Sequence, residues 1–173
     1  MSEEWSENLA AYFQRLLPLL SSLLLVFMAY VPFEFSRFNN IRPAVGMICV
    51  YFWLIHRSDI FNLLSVYLVG LTDDVISSIP FGSNIFTLLV LYLLVSNLSR
   101  FFNGKPFVVT WYGFALLSFI CFFVKWLIVS VYYSQFLPLG VAAFSYLATI
   151  AAYPVLSLVL AFVQNKLMQE DEA

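Results

Sequence analysis

Residues 60–79 read IFNLLSVYLVGLTDDVISSI. A helix over that stretch would rise about 30 Å, the thickness of a bilayer's hydrocarbon core. Its only groups charged at neutral pH are two adjacent carboxylates, Asp73 and Asp74. A charge at such depth is costly, and where one is kept it faces the protein interior or a polar cavity. The solvent for this chain is therefore lipid, and the acidic pair is the first place to look for its purpose.

The rest of the chain agrees. Of its 173 residues 62% are hydrophobic and only 10% are charged. Mean hydropathy is +0.91. A soluble domain carries about 25% charged residues on its wetted face. Stretches such as Ile85 to Val95 and Val155 to Val163 are apolar nearly all round. A transmembrane barrel strand would instead alternate. Backbone groups in hydrocarbon must be satisfied within each segment, so the expected fold is all-α, a polytopic integral membrane bundle.

Outward from residues 60–79, about six spans are expected in a single membrane domain, 1–173. Residues 1–15 form an amphipathic lead-in, with Trp5, Leu9, Tyr12 and Phe13 at helical spacing. Its early glutamates, Glu3, Glu4 and Glu7, suit the positive end of a helix dipole. The start lacks the basic region and cleavage site of a signal peptide, so the first apolar segment is expected to remain in place. The transmembrane bundle occupies 16–163, and an acidic tail, 164–173, closes the chain. The spans fall at about Leu16 to Phe33, Pro43 to Ile55, Ile60 to Ile79, Ile85 to Leu98, Phe107 to Tyr133 and Phe136 to Val163. Pro43 suits the first turn of the second span, since its missing amide hydrogen would be unsatisfied there anyway. That span is short for a crossing: it tilts little, borrows Ile41 or lies partly out of the bilayer. Ser83 or Asn84 is the expected cap of the fourth span, and Pro154 the expected kink of the sixth.

Six spans with both termini cytoplasmic would keep Arg15, Arg57, Arg100, Lys105 and Lys166 inside, and leave Arg37 and Arg42 outside. That is the favoured arrangement for basic residues. Asp74 would then lie about 21 Å along its helix from the cytoplasmic end, and Lys125 about 27 Å along its own. Two readings stay open: a buried Asp74–Lys125 pair, or a Lys125 that snorkels outward while the aspartates face a polar loop.

Catalytic readings find little support. No phosphate-binding glycine loop, zinc-binding helix, nucleophile elbow or Ser/His/Asp set is present. An intramembrane aspartyl protease needs carboxylates facing each other across water. Asp73 and Asp74 are neighbours on one helix, pointing about 100° apart. His56, the single histidine, stands beside Arg57 at a span end. Cys49 and Cys121 read as small buried apolar side chains. No cofactor or metal is expected, and the absence of a basic run argues against a nucleic-acid partner.

Four landmarks carry a resemblance: Arg42-Pro43 opening the second span, Phe52-Trp53 near its end, the run from Gly70 to Asp74, and Gly82 beyond it. Together they resemble the bacterial rod shape-determining protein family MreD. That family shows an Arg-Pro, a Tyr-Trp, a glycine before an aspartate in the third span, and a glycine near that span's outer end. Asp74 rather than Asp73 takes the aspartate position. Phe52 replaces the usual tyrosine, and Ser58 and Ser78 stand where proline and glycine are common.

The resemblance implies a multi-pass protein of the bacterial inner membrane that scaffolds cell elongation without catalysis. It implies an MreC-like bitopic partner and, through it, an MreB-like filament and the peptidoglycan polymerase and transpeptidase. Candidate partner-binding or structural residues are Arg42, Pro43, Trp53, Gly70, Asp73, Asp74, Gly82 and Lys125. The family's fold also resembles the vitamin-binding membrane subunits of energy-coupling-factor transporters. In that alternative, Asp74, Asn84, Lys125 and Tyr132 would line a small-molecule pocket.

Overall fold

The computed structural model describes residues 2–30, 42–77, 79–102, 104–136 and 138–170, without the side chains of 2–15, 99, 100, 102 and 167–170. Among the described residues there are six helices and no strand. They are α1 (Ser2–Tyr30), α2 (Val45–His56), α3 (Leu63–Ile76), α4 (Ser83–Phe102), α5 (Phe107–Tyr133) and α6 (Leu139–Glu170). The loop from Glu34 to Ile41, with Arg37, lies outside the described residues.

Among the described residues two helices, α5 and α6 up to Lys166, are long and apolar enough to cross a membrane. Their apolar side chains mostly face outward, as with Leu116, Phe119, Leu158 and Phe162. An apolar perimeter of this extent is what lipid, not water, would wet.

The bundle is built around α2. Every residue from Val45 to Ile55 is buried, and α1, α3, α4 and α6 all pack against this helix. Its hydrophobicity all round, which reads equally as lipid exposure, is here the mark of a central position. At 12 residues it spans about 18 Å, less than the hydrocarbon thickness that a lipid-facing crossing has to match. Pro43 is not in its first turn. Ala44 is the N-cap residue, its amide donating to Thr149 Oγ1 at 3.0 Å, so a hydroxyl of α6 anchors the start of α2.

Aromatic packing holds α5 and α6 to this core. Tyr51 of α2 donates to the Thr110 carbonyl of α5 at 2.8 Å. Its ring meets Phe114 and Tyr153, with centroids at 5.1 and 5.9 Å. Pro154 sits inside α6 and leaves the Ile150 carbonyl without its usual amide donor. The Trp111 indole of α5 supplies the replacement at 3.3 Å.

α5 starts after Pro106, which is extended, and ends at Ser134 in the left-handed region, φ 51°. Its bounds coincide with those expected. α3 is shorter than its apolar stretch: Asn62 caps it through Ser65 N, and residues 60 and 61 belong to the preceding turn. α1 runs on as one helix from Ser2 to Tyr30.

Candidate functional site

Gly70 and Asp74 are four residues apart, on one face of α3. That face meets the first turn of α4. A Cβ on Gly70 would stand 2.9 Å from Ile85 Cα and 3.3 Å from Ile85 N, so the two backbones touch where Gly70 lies. One turn further, the Asp74 carboxylate accepts three backbone amides: Gly82 N at 3.0 Å, Asn84 N at 2.9 Å and Ile85 N at 3.1 Å. Asp74 is 3% exposed.

Those amides are the donors that the start of a helix leaves orphaned. A carboxylate there gains charge-assisted bonds and the favourable end of the dipole. The cap of α4 is therefore borrowed from α3. The expected caps act otherwise: Ser83 Oγ donates to the Pro80 carbonyl at 2.7 Å, and Asn84 Nδ2 to Ser77 Oγ at 3.0 Å. Gly82 has φ +95° with nothing within 4 Å of a Cβ placed on it. The chain needs glycine there for its backbone conformation, which aims the amide at Asp74.

Asp73 points elsewhere. Tyr30 Oη of α1 donates to its Oδ1 at 2.7 Å. The same tyrosine ring carries the Arg42 guanidinium, 5.4 Å from its centroid. Gly46, in the first turn of α2, passes close by: a Cβ there would lie 3.7 Å from Asp73 Oδ2. Lys125 of α5 lies within electrostatic range of both carboxylates, Asp73 foremost. It closes no ion pair within 4 Å among the described residues.

Six of the eight residues singled out in the sequence thus form one junction: Gly70, Asp74 and Gly82 lock α3 to α4, and Arg42, Asp73 and Lys125 continue it toward α1 and α5. Of the two readings left open for Lys125, the close pair with Asp74 is not formed among the described residues. Asp74 is taken up by backbone amides, and Asp73 is the carboxylate with the stronger electrostatic influence on Lys125. Pro43 and Trp53 stand apart. Trp53 is fully buried in the core toward the other end of α2, and its indole N–H has no hydrogen-bond partner among the described residues. Tyr30, Gly46 and Thr149 were missed. Tyr30 was hidden among many aromatic residues, and the other two carry no local pattern.

Among the described residues no group of His, Cys, Asp and Glu could hold a metal ion. His56 turns back on its own helix, with Nδ1 2.9 Å from the Phe52 carbonyl. Two surface grooves lie elsewhere: one lined by Asn62, Leu63, Leu64, Tyr67, Leu89 and Tyr92 of the α3–α4 side, the other by residues of α1 and α6 and the start of α2. Neither includes Asp74, Asn84, Lys125 or Tyr132.

A family model described as rod shape-determining protein MreD matches residues 11–170. An uncharacterized protein of Rickettsia prowazekii (strain Madrid E) is 26% identical over 125 residues, covering 70% of this chain and 69% of its own length. No solved structure matches the chain. The family match extends far beyond the stretch from Arg42 to Gly82 that carried the resemblance.

Proposed function

This chain belongs to the MreD family of rod shape-determining proteins, and from that premise we propose that it is a non-catalytic scaffold of the bacterial cell-elongation machinery. In this reading the bundle is a multi-pass protein of the inner membrane, crossing about six times with both ends in the cytoplasm. It binds an MreC-like bitopic protein and, through it, couples an MreB-like filament to the peptidoglycan polymerase and transpeptidase.

The observation that carries the reading, beyond the family match, is how the intramembrane charge is used. Asp74 has three amide partners, and Asp73 is shared between Tyr30 and Lys125. An acid–base pair for bond-breaking would need carboxylates free to reach a common substrate. Here one carboxylate bonds toward α1 and the other to the start of α4, which supports a role in holding helices in register. A rigid junction at one end of the bundle suits a protein whose task is to present a surface.

The decisive experiment combines depletion with pull-down. Loss of the protein should turn elongated cells round, and the tagged protein should bring down its bitopic partner from solubilised membranes. Asp74→Ala should lower the amount of folded protein, while the surviving fraction keeps its partner. Normally elongated cells after depletion, or turnover of a substrate by purified protein, would defeat the proposal.

A further inference from the structure

We propose that the groove between α1 and α6 is a site for one anionic phospholipid, its acyl chain lying in the groove and its phosphate on Arg42. The groove has a volume of about 460 Å³ and is lined only by apolar side chains. Leu25, Met28 and Ala29 come from α1, and Ala152, Val155 and Leu156 from α6. Pro43 and Val45, at the start of α2, complete it. Two of the lining residues are alanines, whose small side chains leave the space unfilled.

Charge decides the occupant. At the end of the groove formed by Ala29 and Pro43, the next residues along the chain on one side and before it on the other, Tyr30 and Arg42, stack on each other. The Arg42 side chain is exposed and pairs with no carboxylate among the described residues. Arg57, by contrast, is paired with Asp59 at 3.4 Å. A planar guanidinium held by a ring, with no carboxylate partner among the described residues and beside an apolar channel, is complementary to a phosphodiester on an acyl chain. An uncharged transmembrane helix would fill the channel but leave the cation unanswered.

The test is native mass spectrometry of the full chain in detergent, titrated with phosphatidylglycerol or phosphatidylethanolamine of identical acyl chains. One phosphatidylglycerol should be retained in preference to phosphatidylethanolamine. Arg42→Gln should weaken that retention about tenfold, the loss of one charge-assisted contact. Lys105→Gln, which removes an exposed cation elsewhere, should leave it unchanged. Ala152→Phe, which fills the channel, should abolish retention of both lipids at this site; should that variant fail to fold, the Arg42→Gln result stands alone. Equal retention of the two lipids by the parent chain, or an Arg42→Gln variant indistinguishable from it, would overturn the proposal. So would a photocrosslinker at Val155 that captures a protein segment instead of lipid in native membranes.

Discussion

Gly70 and Ile85 meet backbone to backbone: the hydrogen of Gly70 that a methyl group would replace points at the Ile85 Cα, with room for only 2.9 Å between carbon centres. Real Cβ atoms do not approach so near, and a backbone atom cannot swing aside as a side-chain tip can. Gly70→Ala should therefore push α3 and α4 apart and cost about 1–3 kcal/mol, despite alanine's better helix propensity. A lower midpoint in detergent thermal unfolding is the readout.

Separation of those helices has a second effect, on Asp74. Asp74→Asn keeps the shape of the side chain but removes the charge and turns an N–H₂ toward amide donors. It should cost about 2 kcal/mol, and Asp74→Ala somewhat more, because buried donors are then left unpaired. Gly82→Ala should lose about 1–2 kcal/mol through backbone strain alone, since nothing crowds the site. Both substitutions act on the Gly82–Asp74 bond, so their combination should cost less than the sum. Strict additivity in the double variant would contradict the assignment.

For Lys125 the question is which carboxylate answers it. Lys125→Met should leave Asp73 with Tyr30 as its one remaining favourable side chain. Asp73→Asn should then recover part of the loss in the Lys125→Met background, with a coupling of about 1 kcal/mol. Asp74→Asn should recover none, because its three amides remain. Membrane yields of the three single and two double variants, measured together with unfolding midpoints, separate the two carboxylates.

Trp111 and Pro154 form a similar test within the α5–α6 pair. Trp111→Phe removes the donor that the Ile150 carbonyl uses and should cost about 1 kcal/mol. With Pro154→Ala also present, the new amide at position 154 can serve that carbonyl, so the Trp111→Phe penalty should shrink. An unchanged penalty would mean that the indole contributes packing rather than a hydrogen bond.

The limits of the sequence show most clearly in α2 and α4. α5 was found to the residue because Pro106 and a long apolar run leave no other bounds. α2 was placed correctly along the chain but not in space, since a segment without a polar face looks the same whether lipid or protein surrounds it. Around the acidic pair, the spacing of Gly70, Asp74 and Gly82 was visible, and its meaning was not. Backbone amides are the partners of Asp74, and an amide has no letter in the sequence. Lys125 was sought against Asp74 by depth alone, while a turn of about 100° between neighbours on a helix sends Asp74 to the start of α4 and leaves Asp73 as the stronger influence on the lysine.

A core helix of only 12 residues, sealed off by its neighbours, is free of the constraint that fixes the length of a lipid-facing one. Thicker or thinner bilayers would be felt by the outer pair, α5 and α6, through tilt and end effects. The inner rod would ride along undeformed, like an axle inside a flexible sleeve. Moving the protein between membranes of different thickness should then alter how its perimeter leans while the Asp74 junction keeps its shape.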